Sequence, residues 1–401
     1  MTAALRMTKF PKPLGRLPTV PASSPNDLLF RAICDASFSN SITGSLCSVV
    51  QHRVSSVMKE IRSMKRWSNC SARHAYPNLG VVMLLAFGLS IPPAGADDQP
   101  VGSRRILVCG KRTAIVLFSP ERPAGAVEWT YPVNSREGWV LPDGNVLLAV
   151  SKGSRLPTGE IVAGGAAIEI RRGASETSGT GDRIVWRYDG TQAEVNSIQK
   201  TAEGTYVLTE AGPSPRLLEL NADNTTRTEF ALACQKPNAH MQTRMARKQA
   251  DGTFLVPHLL DFAIIRYAAD GTISERIDTH VVGQPKLNSW PFTAIALEDG
   301  GILAGLTNGN RVVEFNADGG IRWQVTAADV DGAINDACGI QRLLNGNTMI
   351  ASYRIGKGGE RLLEVSPAKE VVWTWKADVP SVHHFHLFEI DGKPVPFPAL
   401  R

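Results

Sequence analysis

Leu141-Pro142-Asp143-Gly144-Asn145-Val146-Leu147-Leu148-Ala149-Val150 couples a tight turn to a continuous apolar run, and the chain repeats this pairing. Its counterparts begin at Thr201-Ala202-Glu203-Gly204-Thr205, Gln249-Ala250-Asp251-Gly252-Thr253, Leu297-Glu298-Asp299-Gly300-Gly301, Leu343-Leu344-Asn345-Gly346-Asn347 and Glu389-Ile390-Asp391-Gly392-Lys393. The turn glycines stand at 144, 204, 252, 300, 346 and 392, in steps of 60, 48, 48, 46 and 46 residues. A period in the forties with strand-like flanks is the mark of a propeller blade.

Three strands are legible after each turn. The first is a short apolar run such as Phe254-Leu255-Val256 or Met349-Ile350-Ala351, as expected of a strand buried on both faces. The next alternates and ends in a turn, most clearly in Arg311-Val312-Val313-Glu314-Phe315-Asn316-Ala317-Asp318-Gly319. The last carries an aromatic, as in Val127-Glu128-Trp129, Ile184-Val185-Trp186, Ile321-Arg322-Trp323 and Val371-Val372-Trp373, read as a wedge between blades. The two ends are complementary. Strands from Arg105 to Tyr131 lack an innermost partner, and His384-Phe385-His386-Leu387-Phe388-Glu389-Ile390 is an innermost strand with no blade after it. Together they make one blade, so the predicted fold is all-β, a six-bladed propeller closed by its C-terminal strand.

Ahead of the repeats, residues 79–91 form a 13-residue apolar core preceded by Lys65, Arg66 and Arg73 and followed by Ala94-Gly95-Ala96. This is the pattern of a signal peptide cut after Ala96, and it is shorter than the roughly 20 residues that span a bilayer. The expected organisation is an extension over 1–63, disordered or lying before the true start, a leader over 64–96 and a propeller over 97–401, placed in the periplasm or outside the cell with no membrane span once the leader is gone. Residues 1–96 hold 11 Lys/Arg against 3 Asp/Glu, and the rest holds 32 against 35, so the basic balance belongs to the leader. The mature domain carries no basic footprint for nucleic acid. Its three cysteines, Cys109, Cys234 and Cys338, are odd in number and widely spaced, which gives neither a disulfide framework nor a zinc spacing. One bridge and buried free thiols both remain open.

Loops that enter the innermost strands, and those between second and third strands, open on one face beside the central channel. Histidines of the mature domain fall there. His240, Gln242 and Arg244 precede blade four's inner strand and would share one side by alternation. His258 ends the next strand, and His383 and His384 enter the closing one. Blades one and four oppose each other in a six-fold ring, so these groups form a candidate mouth for a small molecule or protein, with Arg244 gripping an anion and imidazoles donating or ligating. His280 and His386 read as structural. A second set, Glu137, Glu194, Asn196 and Asp336, occupies similar positions, and Glu137, Asn196 and Asp336 suit a hard divalent cation such as calcium. The tip Gly356-Lys357-Gly358-Gly359 lacks the strand-to-helix context of a phosphate cradle.

Leu-Pro-Asp-Gly-Asn-Val-Leu-Leu-Ala at 141–149, Val-Glu-Phe-Asn-Ala-Asp-Gly at 313–319 and the Trp-ending strands resemble the bacterial PQQ-like, or quinoprotein-like, propeller repeats over residues 105–392. The resemblance implies blades rather than the quinone, since the calcium and quinone ligands of quinoprotein dehydrogenases have no counterparts here, and PQQ is not expected. The His and Arg residues also resemble those of bacterial arylsulfotransferases, propellers with a nucleophilic histidine. Glu137, Asn196 and Asp336 are similar to the metal ring of gluconolactonase-type hydrolases. The leading expectation is an exported binding scaffold, and the alternative is an enzyme acting on a small anionic or sugar-derived substrate.

Overall fold

The computed structural model describes residues 102–396 except 174–180, 281–288, 357 and 378–380; the expected extension and leader lie outside the described residues. Six antiparallel sheets follow one another along the chain. Blade one joins Val382–Ile390 to Arg104–Gly110, Thr113–Ser119 and Arg122–Tyr131. Blade two comprises Ser135–Val140, Val146–Val150, Ala166–Arg171 and Arg183–Asp189, with a small hairpin of Ser154–Arg155 and Ile161–Val162 inserted between its second and third strands. That insertion accounts for the long first step of the repeat. Blade three runs from Glu194–Lys200 to Thr226–Ala231, blade four from Arg247–Lys248 to Ile273–Asp278, blade five from Trp290–Ala296 to Ile321–Thr326 and blade six from Ala337–Arg342 to Val371–Lys376. No helix among the described residues is long and apolar enough to cross a membrane.

The turn motif explains why the blades start alike. Gly144 donates to the Leu141 carbonyl at 2.9 Å and Leu141 to the Asn145 carbonyl at 2.8 Å, while Asp143 Oδ1 accepts from Asn145 N. This geometry drives Gly144 to φ 84°, a left-handed conformation that costs glycine nothing.

Burial follows the two-residue period. Val146, Leu148 and Val150 pack with blade one's Leu107, Ile115 and Trp129, whereas Leu147 and Ala149 pack with blade three's Ile198 and Leu208. Comparable apolar layers lie between every pair of consecutive blades and between blade six and blade one. The tryptophans do wedge these layers: Trp186 stacks on Tyr206 of the next blade at 3.6 Å, and Trp373 meets Phe118 of blade one at 5.3 Å. Closure is as expected, with Leu107 paired to His386, Val108 to Phe385 and Cys109 to His384.

The innermost strands leave backbone groups facing the axis, which must be satisfied. Side chains of the preceding blade do this. Gln341 accepts from Leu387 N and donates to Leu387 O, each at 3.0 Å. Gln199 bridges Lys248 N and O in the same way. His384 and His386 accept from Gly138 N and Val140 N at 3.4 and 3.0 Å. Trp139 fills the middle of the channel, 4.9 Å from the His384 ring and with the Arg247 guanidinium 4.7 Å over its face.

Candidate functional site

On the face where the inner strands begin, all six blades send a side chain toward the axis. Arg136 comes from blade two, Glu194 and Asn196 from blade three, and His240 and Arg244 from the segment entering blade four. Phe292 belongs to blade five, Tyr353 to blade six and His383 to the closing strand. The centre of charge is Glu194. Its carboxylate lies 2.8 Å from Lys152 Nζ, 3.2 Å from His240 Nδ1 and 3.5 Å from Arg136 Nη2. Burial works to raise its pKa, but the His240 and Lys152 hydrogen bonds and the charges of Arg136 and Arg244 prevail and hold it at about 2. The His240 Nδ1 that faces Glu194 is also 3.1 Å from Arg136, so its tautomer decides which contact is a hydrogen bond.

Arg244 is 2 % exposed. It donates to the carbonyls of Thr243 and His240. Asn196, with its amide oriented to donate to Glu194 at 3.1 Å, accepts from Arg244 at 3.1 Å. Burial first, then the charge of Arg136, brings the Arg244 pKa down to about 9, which leaves it protonated at neutral pH. Its Nε is buried without a hydrogen-bond partner among the described residues, and so is Nδ1 of His383. His383 is held between aromatic rings, 4.3 Å from Tyr353 and 6.2 Å from Phe292. Burial, reinforced by Arg136, Arg244 and His240, lowers its pKa to about 3, so it is neutral at pH 7. Among the described residues, Arg136 and Arg244 thus act on a neutral imidazole set against an aromatic wall, with Glu194 and Lys152 beside them.

Glu194, Asn196, His240, Arg244 and His383 therefore meet at this mouth, and Gln242, His258, His384, Glu137 and Asp336 are engaged elsewhere. Gln242 was expected beside His240 and Arg244 by strand alternation. The segment instead forms a 3₁₀ turn over Ala239–Met241, and Gln242 spends its amide on Gly212 N and O and on Lys236 O. His258 turns away from the axis into the layer between blades three and four, where its Nε2 lies 3.0 Å from the Tyr267 hydroxyl. His384 lies one residue deeper than His383 and serves the backbone of blade two; burial, then Arg247 and His386, push its pKa well down.

The three residues expected to ring a divalent cation are each engaged by other partners. Glu137 reaches across the channel, pairs with Arg247 and accepts from Ile198 N at 2.9 Å and Trp139 Nε1 at 3.1 Å. Asp336 accepts from Asn308 N and pairs with Arg354, both at 2.9 Å. With Asn196 on Glu194 and Arg244, the three residues are held by different partners. Among the described residues the cysteines are unpaired, with Cys109 and Cys338 buried.

Arg136, Lys152, Phe292 and Tyr353 escaped the sequence reading. Counting back from the turn glycine would have found two of them. Arg136, Asn196, Arg244 and Phe292 each stand eight residues before Gly144, Gly204, Gly252 and Gly300. His383 stands nine before Gly392, and the closing strand carries register shifts in its pairing with Arg104–Gly110.

Comparison with known proteins adds the fold alone. No protein-family description matches the chain, and no curated protein matches its sequence. A crystal structure of a protein of unknown function from Bacteroides caccae is similar at 19 % identity and TM-score 0.57, covering 71 % of this chain and 98 % of that one. Virginiamycin B lyase from Staphylococcus aureus, solved in a catalytically inactive form with quinupristin, is similar at 14 % identity and TM-score 0.44, covering 70 % and 86 %. A streptogramin B lyase structure is similar at 15 % identity and TM-score 0.44, covering 73 % and 86 %. The chain is a six-bladed β-propeller.

Proposed function

We propose that this protein is an exported propeller scaffold of the PQQ-like repeat kind that binds a small anionic molecule at the channel mouth. The observation that carries this reading is the buried, protonated Arg244 with an Nε unpartnered among the described residues, in a mouth where Arg136, Lys152 and Arg244 face the carboxylate of Glu194. A buried guanidinium with spare donor capacity recovers its desolvation cost when a carboxylate or sulfate supplies the missing acceptors. Phe292 and Tyr353 offer an apolar wall for the rest of such a ligand.

The test is a thermal-shift screen of aryl and alkyl carboxylates and sulfates, followed by calorimetric titration. Arg244→Ala should weaken an anionic ligand by about 1.5 kcal/mol or more, roughly tenfold, with the fold intact. Binding unchanged in both Arg244→Ala and His240→Ala would end this reading. Export is tested separately by mass spectrometry of the native protein, which should begin near Asp97.

A second reading, an enzyme at the same mouth, draws on His383. A neutral imidazole with a free Nδ1 beside a guanidinium is equipped to take a proton or to attack an electrophile. Turnover of any ligand found by the screen, abolished in His383→Gln while binding persists, would select this reading over the scaffold.

A further inference from the structure

Cys234, His258 and Asp261 are brought together outside the mouth, where blade three hands over to blade four. Cys234 lies in the segment after Thr226–Ala231, His258 ends Phe254–His258, and Asp261 sits in the loop before Ala263–Tyr267. Their ligating atoms all lie within 4.8 Å of one another. The pattern is unusual for hydrogen bonding, because the thiol and the carboxylate converge on the same ring nitrogen. Nδ1 of His258 is 3.5 Å from Cys234 Sγ and 3.2 Å from Asp261 Oδ2. One N–H cannot point well at both.

A metal ion resolves this. With bonds of ~2.3 Å to sulfur and ~2.05 Å to nitrogen and oxygen, the edges of a tetrahedron are roughly 3.6 Å for S···N and roughly 3.3 Å for N···O. The separations found here, 3.5 and 3.2 Å, lie close to those edges. The surroundings also fit. A ligating histidine normally has its other nitrogen fixed by a second partner, and His258 Nε2 lies 3.0 Å from the Tyr267 hydroxyl, which in turn accepts from Ala233 N at 3.1 Å. Gln235 N donates to Asp261 and orients that carboxylate. His258 is fully buried and the Asp261 side chain nearly so, while Cys234 is partly exposed and gives an approach from solvent.

We propose that Cys234, His258 and Asp261 form a three-ligand site for a zinc-class divalent ion, with a fourth position left to water or an external ligand. The thiolate excludes calcium and magnesium as the preferred ion and favours zinc or cobalt. On binding, the Cys234 thiol gives its proton to solvent, the sulfur forms the bond to the metal, and the His258 proton moves to Nε2, where it donates to Tyr267. The spacing of 24 residues between Cys234 and His258 hides the site from a motif search, because the two are joined through the sheet and not through one loop.

The test uses the full chain, stripped with a chelator and then titrated with CoCl2 or ZnCl2. The expected result is one zinc per chain after dialysis, and with cobalt both the visible bands of a tetrahedral ion and a near-ultraviolet thiolate charge-transfer band. Cys234→Ser should abolish the charge-transfer band, and Asp261→Asn should weaken zinc by about tenfold or more. Should either variant fold poorly, protection decides the matter in the wild-type chain. Zinc should slow the reaction of Cys234 with a thiol reagent, read by peptide mapping, while Cys109 and Cys338 serve as internal references. A wild-type chain that gives octahedral cobalt bands without charge transfer, or equal Cys234 reactivity with and without zinc, overturns the proposal.

Discussion

Replacing Glu137 by Gln isolates the pair that plugs the channel. Glu137 is fully buried and Arg247 is 3 % exposed, and the carboxylate spans from blade two to the inner strand of blade four. Glutamine keeps an oxygen for Ile198 N but removes the charge opposite Arg247. Breaking one side of a buried ion pair costs about 3–5 kcal/mol, because the remaining charge is stranded. Unfolding entropy near 2.1 cal/mol/K per residue gives ~0.6 kcal/mol/K for a domain of roughly 300 residues, so this cost corresponds to a fall in Tm of about 5–8 °C. Differential scanning calorimetry at pH 7 measures it directly. The double variant Glu137→Gln/Arg247→Met should recover most of the loss, since an apolar replacement removes the stranded charge. The reasoning fails if Glu137→Gln lowers Tm by less than about 2 °C, or if the double variant loses as much as the two single variants together.

Three further outcomes follow. His383 and His386 are both held near pKa 3, chiefly by burial, so between about pH 6.5 and 3 the unfolded chain binds protons that the folded chain refuses. Stability is therefore full above about pH 6.5 and falls as the pH drops, by ~2 kcal/mol per histidine at pH 5; in His386→Gln the drop in Tm from pH 7.5 to 5 should shrink by about 3 °C. Glu194, held near 2, adds an acid limb in the same direction below about pH 4.5, and Glu194→Gln should flatten it in a pH series of melts. A chain ending at residue 381 lacks the strand paired with Arg104–Gly110 and should lose its cooperative transition by circular dichroism.

The blades were legible because their signals are local. A glycine forced to positive φ, an apolar run buried on both faces and a wedge aromatic each reveal their role within a few residues. The mouth was legible only in part, for a different reason. His240 and His383 were identifiable because loops entering inner strands open on one face, but alternation failed for Gln242, where the chain forms a 3₁₀ turn instead of a strand. Glu137 looked like a metal ligand because sequence shows a carboxylate at the channel and hides its partner, Arg247, 110 residues away. Lys152 was invisible because it lies in the loop after a second strand, with nothing local tying it to Glu194.

The junction of Arg104–Gly110 with Val382–Ile390 also sets a clock on the ribosome. Arg105 meets Glu389 across 284 residues of chain, so the first propeller strand emerges long before its neighbour exists. At translation speeds of about 5–20 residues per second, that interval is roughly 15–60 s. Throughout it the inner edge of Arg104–Gly110 stays open, and the layer between blades six and one has only one side. Newly made chain is therefore a target for holding chaperones until the last strand is released, and a stalled ribosome leaves an open ring with two sticky faces.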